Sequence, residues 1–443
     1  MNVSIYPAIA FAVIVGGVLL LAILMSARAG LWAIGCMFFL ASIAPIIDNW
    51  EKRVYQTWLL PLQWYRAPLF GLTGGLMLLG FVPRLRSLSL SAVPAQAWIL
   101  LLMGLYGGVL RMYHVSPEDG LSSAVLAVAT LGPLALVLPT QLQHPGDAVR
   151  FPKVLVWTTM AWTALAGVQF VLNRDLVVLG VGRHFTGLIA NGNQAGTMLN
   201  VVAVCGLWLV LNGGVRTRWL YIWCTAGFLG MLYWTASRGG MLTFVVGAAV
   251  VTYSRLGRLA LMMPVVAVLV YLVMQVGGML GVSVDVEHLF SLENTRQGLS
   301  TRLIANFFES PVIGVGPIRA EGSENSYLLA PAAYGFGMLL LLLAMMAAGF
   351  GMCRRLFFLR FRVGREFRGL IDLCMAQQVM YYFNALFEGI MVGRVGSNTV
   401  TIMMFAAMGK FLLEYAGGTE GTESWDAEGE LEPVEYEGEY EHA

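Results

Sequence analysis

Apolar runs recur along most of the chain and alternate with short polar links. Each run approaches the length of about 20 residues that an α-helix needs to cross a bilayer. About thirteen runs have this character, at 5–25, 31–47, 67–82, 98–110, 121–138, 154–172, 194–211, 219–235, 241–253, 259–276, 327–352, 370–386 and 400–413. The pattern predicts an all-α polytopic membrane protein with about twelve or thirteen transmembrane helices in one domain, residues 1–413.

Composition supports this prediction. Of the 443 residues, 58% are hydrophobic and only 12% are charged, whereas soluble domains are about 25% charged. The five cysteines lie in or beside apolar runs without metal-ligand spacing, so we interpret them as small packing side chains. The first run lacks a basic leading segment and is interpreted as a span, not a removable signal peptide. No feature indicates nucleic-acid binding.

Arginine positions predict the topology. Six arginines, Arg354, Arg355, Arg360, Arg362, Arg365 and Arg368, share one link, and positive charge in short links marks the cytoplasmic side. Alternation then places a large loop, 279–326, on the outer face, together with 173–193 and the link at 237–240. Residues 414–443 contain many acidic residues and no lysine or arginine. We expect them to form a disordered cytoplasmic tail.

Three arginines fall on the predicted outer face, where the charge rule disfavours them: Arg183, Arg238 and Arg302. Snorkelling to lipid headgroups would explain any one of them. All three, however, lie within or beside distinctive sequences. These are GRHFTGLIANGNQA at 182–195, TASRGG at 235–240, and a third block with SPVIGVG at 310–316, ENSYL at 324–328 and YGFG at 334–337.

In this order and on this face, the three blocks resemble the O-antigen ligase and polysaccharide polymerase superfamily (Wzy/WaaL type). The resemblance covers about the middle third of the chain. It implies a glycosyltransferase of GT-C-like architecture in the bacterial inner membrane, with its active face in the periplasm. The implied substrate is an undecaprenyl-pyrophosphate-linked oligosaccharide. Membrane lipids, and the flippase and chain-length regulator of the same pathway, are the implied partners.

The chemistry of such a donor suits the residues in these blocks. Guanidinium groups bind phosphate oxygens in a bidentate fork and stabilise a leaving pyrophosphate, which assigns catalytic roles to Arg238 and Arg302. The expected substrate-binding residues are Arg183, His184, Asn191, Asn193, Asn325 and Tyr327. The asparagines equally fit helix caps, and the glycines equally fit tight turns and helix packing. No metal motif stands out in the outer loops, so we expect a metal-independent transfer without a cofactor.

A general base must accept the proton of the acceptor hydroxyl. Ligases of the family have a histidine immediately before the asparagine that ends the large loop, and this chain has Glu324 there. Glu324 is therefore the expected base, with Glu321 and His184 as further candidates. A solvated carboxylate or an ion-pair partner is the plain alternative reading.

Glu324 in place of histidine favours a polymerase of lipid-linked repeat units, as in exopolysaccharide, O-antigen or capsule synthesis. A ligase that attaches finished glycan to lipid A core or to protein is the alternative within the family. A transporter or flippase is the alternative from another class, supported by Asp372, Gln377 and Gln378 inside one predicted span.

Overall fold

The computed structural model describes residues 29–43, 66–81, 90–172, 174, 177–179, 184–189, 191–262, 297–320, 325–391 and 395–419. Nearly all of this part of the chain is helical. The helices are α1 (Ala29–Ala41), α2 (Arg66–Phe81), α3 (Ala95–His114), α4 (Pro117–Thr140), α5 (Arg150–Leu172), α6 (Gly192–Asn212), α7 (Val215–Trp234), α8 (Arg238–Leu256), α9 (Gln297–Glu309), α10 (Ser326–Arg360), α11 (Arg365–Asn384) and α12 (Ser397–Thr419).

Shorter elements complete the described chain. A helical turn, Pro145–Ala148, precedes α5, and 3-10 turns occupy Leu90–Ala92, Gly187–Ile189 and Gly257–Leu261. A two-stranded antiparallel ribbon between α5 and α6 consists of β1 (Val178–Leu179) and β2 (His184–Phe185), in which Val178 pairs with Phe185 and Leu179 with His184.

Within the described residues, seven helices are long and apolar enough to cross a membrane. They are α3, α4, α5 with its preceding turn, α6, α8, α10 and α12. The predicted all-α polytopic membrane class is thereby confirmed. Helices α7 and α11 have 20 residues each but are not among the seven, and α1 and α2 are shorter. The predicted run at 5–25 and most of the run at 259–276 lie outside the described residues.

Two helices extend beyond the runs predicted from the sequence. Helix α10 has 35 residues and extends to Arg360, beyond the predicted end of that run at 352. Helix α12 continues to Thr419, so its last turns include the first residues of the predicted tail, which was expected to begin at Glu414. In this last part Tyr415 stacks on Phe367 of α11, with ring centroids 6.0 Å apart. This aromatic contact gives the helix a packing partner where the sequence suggested none.

The bundle has two distinct ends. We call one end the site face. It contains the starts of α6, α8, α10 and α12 and the ends of α3, α5, α7 and α11. The opposite end, the arginine face, carries the exposed residues Arg354, Arg355, Arg362 and Arg368. Contacts fix this assignment, because the indole N–H of Trp208, near the end of α6, donates to the Gly369 carbonyl near the start of α11 (2.7 Å).

A buried ion pair joins three helices near the arginine face. Arg360 Nε lies 2.7 Å from Asp372 Oδ1, and both side chains are buried. The Ser254 hydroxyl donates to Asp372 and accepts from Arg360 Nη2 (2.9 Å). The Arg360 guanidinium also lies over the Tyr253 ring, 4.4 Å from its centroid. Charges removed from water require such partners, and together they connect the ends of α8 and α10 to the first turns of α11.

Helix α10 is interrupted at Gly335, whose φ is +73°. The backbone groups freed by the break bond to the segment that follows α9. Phe336 N–H donates to Pro311 O (2.7 Å), while the carbonyls of Ala332 and Ala333 accept from Val315 and Gly316 (2.9 and 3.1 Å). Buried backbone polar groups need partners of this kind.

The glycines at this crossing allow two backbones to approach closely. A Cβ at Gly335 would lie 2.2 Å from the Val312 carbonyl oxygen, and one at Gly314, where φ is also +73°, would lie 2.4 Å from the Ala333 carbonyl carbon. These two glycines therefore allow close packing, which is the alternative role that the sequence left open for the glycines.

We expect Gly335→Ala to destabilise the protein, because it forces a Cβ into a left-handed conformation that is also sterically blocked. The free energy of unfolding should fall by more than about 1 kcal/mol. Gly351→Ala is the matched control in the same helix, since no atom outside the helix lies within 4 Å of the added methyl. Thermal melting in detergent micelles should show a lower midpoint for Gly335→Ala only. Equal midpoints would contradict this account of the break.

Candidate functional site

The first two sequence blocks meet on the site face, where α6 and α8 begin. A Cβ at Gly196 would lie 2.5 Å from Ser237 Cβ, and one at Gly192 would lie 3.1 Å from the Thr235 carbonyl oxygen. Glycine at these positions lets the two helix starts touch. The structure therefore brings 191–196 and 235–240 together.

On this face, side-chain oxygens accept hydrogen bonds from the first backbone amides of two helices. Asn191 Oδ1 accepts from the amides of Asn193 and Gln194 (2.9 and 3.1 Å). Asn325 Oδ1 does the same for the amides of Tyr327 and Leu328 (2.9 and 3.3 Å). Both asparagines are thus N-caps, which is the alternative weighed from the sequence. Asn193 is the second residue of its helix, and its amide is one of those that Asn191 caps.

Arg238 is the first residue of α8, directly after its cap, Ser237, whose hydroxyl accepts from the Gly240 amide (3.2 Å). The Arg238 side chain is exposed. A helix start carries partial positive charge, so a cation there lowers helix stability. Arg238 therefore has no stabilising role toward its own helix dipole, and together they create a positive potential that attracts an anion. The preceding Ala236 has a φ of +54°, a costly conformation that is often found at functional sites.

The link between α11 and α12 joins the second and third blocks. Ser326, the first residue of α10, donates its amide to Ala385 O (2.9 Å) and its hydroxyl to Glu388 O (2.6 Å), and it accepts from the Met391 amide (3.1 Å). In the same link the Phe387 side chain packs beside Gly239, where an added Cβ would lie 2.8 Å away. The starts of α8 and α10 therefore flank one short segment, 385–391.

Glu388, in this segment, is a site residue that the sequence reasoning missed. Its exposure is 5%, and within the described residues Asp372 is the other buried carboxylate. Asp372 is paired near the arginine face, whereas Glu388 lies between the starts of α8 and α10. A buried carboxylate on a polar membrane face is a functional candidate. The available signal was an acidic residue in the otherwise apolar stretch LFEGI at 386–390.

A buried amide network below these helix starts was also missed. Asn200 Nδ2 donates to Asn384 Oδ1 (3.1 Å) and to Gly240 O (3.2 Å). Asn398 Nδ2 donates to the Thr197 hydroxyl (3.0 Å). The network joins α6 to α8, α11 and α12. Asparagine within an apolar run was the available signal, since polar groups in spans are rare without a purpose.

The remaining predicted site residues differ in position. His184 is half-buried in β2, where the neighbouring Phe185 stacks on Trp234 at the end of α7 (centroids 5.3 Å apart). The Tyr327 hydroxyl donates to Tyr382 O (2.9 Å), a packing contact with α11. Arg302 is exposed on α9 and bonds within its own segment, with Nη2 3.5 Å from Arg319 O. Arg183, Glu321 and Glu324 lie outside the described residues.

No cluster of three or more His, Cys, Asp or Glu side chains that could hold a metal ion occurs among the residues the structure describes.

The fold and the site face together define a polytopic α-helical membrane protein with an arginine and a buried carboxylate at one end of its bundle. A scan against protein-family models gives no match, and a search of curated proteins finds no similar sequence.

The amide pair gives a direct test of the site face. Asn200→Ala leaves the buried Asn384 amide without its partner and should lower the free energy of unfolding by about 1–3 kcal/mol. The double variant Asn200→Leu with Asn384→Leu removes both polar groups and should lose less than the two single leucine variants combined. Melting midpoints in detergent measure both effects. Strictly additive losses would show that the two amides are not coupled.

Proposed function

We propose that the protein polymerises undecaprenyl-pyrophosphate-linked oligosaccharide repeat units at the outer face of the bacterial inner membrane. The observation that carries the proposal is Arg238 at the positive end of α8. The start of α8 contacts the start of α6 and lies beside the 385–391 segment, which bonds to the start of α10. A pyrophosphate ester at a membrane surface is the anion that such a position suits.

In the proposed reaction, an acceptor sugar hydroxyl attacks the anomeric carbon of the donor. The bond from that carbon to the pyrophosphate oxygen breaks, and undecaprenyl pyrophosphate leaves. The hydroxyl proton passes to a protein base. Arg238 stabilises the negative charge that grows on the leaving oxygen. Such electrostatic stabilisation is stronger in a protein-lined site than in water.

Arg183 and Arg302 retain their proposed roles, binding and stabilising the pyrophosphate, on the strength of the sequence blocks. Arg302 bonds to its own segment, and Arg183 lies outside the described residues. Asn191, Asn193, Asn325 and His184 remain proposed contacts for sugar hydroxyls. The side-chain oxygens of Asn191 and Asn325 each accept from two backbone amides of the helices they cap.

Two carboxylates are candidates for the base. Glu324 is proposed from its position in the sequence block, one residue before the α10 cap Asn325. Glu388 is proposed because it is buried and because its backbone carbonyl accepts a hydrogen bond from the hydroxyl of Ser326, the first residue of α10. Burial disfavours a charged carboxylate and makes it a better proton acceptor once ionised.

The alternatives rank below this proposal for specific reasons. Asp372, the strongest feature in favour of transport, has a local role in its pair with Arg360. Gln377 donates to Val201 O (3.1 Å), which gives it a packing role as well. The ligase alternative shares the whole site, and the product distinguishes it. Single repeat units accumulate when a polymerase is deleted, and long lipid-linked chains accumulate when a ligase is deleted.

The arginine hypothesis predicts that Arg238→Lys is not a conservative change. Lysine keeps the charge but loses the planar fork, and a lost charged hydrogen bond costs about 1.5–3 kcal/mol, so polymer synthesis should fall at least about tenfold. The assay is polymer formation by purified protein in liposomes supplied with lipid-linked repeat units. Arg354→Lys, at an exposed position on the arginine face, is the matched control and should keep full activity.

Normal polymer from Arg238→Lys at normal protein level would place the donor site elsewhere. Loss of activity in both lysine variants would indicate a general effect of replacing arginine by lysine on the protein, and not a specific role of Arg238.

The base hypothesis is tested with isosteric amides in the same assay. Glutamine keeps the shape of glutamate but cannot accept the proton, so replacement of the base should lower polymer synthesis by about 100-fold or more. Glu324→Gln and Glu388→Gln are compared separately. Glu324→His should retain more activity than Glu324→Gln if Glu324 is the base, because imidazole accepts a proton near neutral pH. Wild-type rates in both glutamine variants would exclude both residues and direct attention to Glu321 and His184.

A further inference from the structure

Helix α9 and the turn that follows it expose four large apolar side chains: Ile304, Phe308, Val312 and Ile318, at 47%, 74%, 71% and 64% exposure. We call this group the α9 surface. Helix α9 has 13 residues and is about 20 Å long, too short to cross a bilayer core of about 30 Å. Lipid contact along a transmembrane span therefore does not explain these side chains.

The α9 surface is one side of an amphipathic element. Ile304 and Phe308 are four residues apart and lie on one stripe of the helix. Leu303 and Asn306 are buried, at 4% and 7% exposure, and face the protein. Large exposed apolar groups on a short helix mark an interaction surface.

The length of α10 shows where the α9 surface lies relative to the membrane. Its exposed Arg354 and Arg355 mark the arginine face, and a crossing of about 20 residues from there ends near Tyr334. The break at Gly335 thus lies at the opposite membrane surface. The turn after α9 bonds directly to this break through Pro311 O and Phe336 N–H, so the turn lies at the same level.

Helix α3 gives the same level independently. It has 20 residues, and its last turns end beside the break. Arg111 Nε donates to the Tyr334 hydroxyl (3.1 Å), and the His114 ring nitrogen Nε2 lies 3.0 Å from Ile313 O. Two crossing helices therefore reach the membrane surface where the α9 surface begins.

The apolar exterior is continuous across this level. Phe336 of α10, directly bonded to Pro311 through its amide, is 52% exposed, and Leu340 one turn further along is 50% exposed. Charged groups border the α9 surface, because Arg319 forms a bidentate ion pair with Glu309 (2.6 and 2.8 Å) and both side chains are exposed. Apolar side chains beside exposed charges are typical of a helix that lies in the headgroup region.

We infer that the α9 surface is a lipid-docking surface: Ile304, Phe308 and Val312 insert among the acyl chains of one leaflet, and the Arg319–Glu309 pair remains among the headgroups. This inference does not depend on the proposed glycosyl transfer, because it uses only the height and polarity of the segment. It gives the 297–320 segment a second attachment besides its bonds to α10.

Spin-label accessibility tests this directly. The five cysteines are replaced by serine or alanine, and Phe308→Cys or Val312→Cys is labelled with a nitroxide in the full chain reconstituted in phosphatidylcholine and phosphatidylglycerol vesicles. Collisions with oxygen, which concentrates in acyl chains, and with a water-soluble nickel chelate are measured. Arg362→Cys, exposed on the arginine face, is the water-facing control, and Phe336→Cys is the lipid-facing control.

We expect labels at 308 and 312 to behave like the label at 336, with high oxygen and low nickel collision rates, and the label at 362 to show the reverse. High nickel collision rates at both 308 and 312 would place the surface in water and overturn the inference. Low rates for both reagents would show coverage by protein, such as a second copy of the chain, and would overturn it equally. Two label sites ensure that one poorly folded variant does not decide the result.

Discussion

The amide pair between Asn200 and Asn384 is the contact on which the arrangement of the site face depends. Hydrocarbon offers no hydrogen-bond partner, so two amides inside a bundle remain bonded to each other and set the relative height of their helices. Asn200 also donates to Gly240 O, which sets α8 at the same height. Arg238 and the 385–391 segment consequently emerge side by side, without any long loop to position them.

The two buried carboxylates of the described residues show how the ends of the bundle differ. Asp372 is surrounded by groups that stabilise its charge, namely the Arg360 guanidinium and the Ser254 hydroxyl, which suits a fixed structural joint. Glu388 lies in the 385–391 segment, between the starts of α8 and α10. Charge is thus compensated by fixed partners near the arginine face, whereas Arg238 and the start of α8 create a positive potential at the site face. This difference is consistent with chemistry at the site face only.

The sequence predicted those features of the fold that depend on composition and local pattern. Apolar runs located most of the described helices, because hydrocarbon thickness dictates their length. The glycine and asparagine positions were found as well, although Asn191 and Asn325 act as caps and Gly314 and Gly335 as packing positions. Asn200, Asn384 and Glu388 were missed because their importance comes from partners 40 to 184 positions away in the chain, and no local pattern encodes such pairs.

The break at Gly335 also bears on how the chain assembles. The amide of Phe336 and the carbonyls of Ala332 and Ala333 would lack their partners if α10 formed alone, because those partners lie at 311–316. The partners precede α10 in the chain and are therefore synthesised earlier. The short segment after α9 can thus act as a template on which the longest helix of the described chain completes its backbone hydrogen bonding.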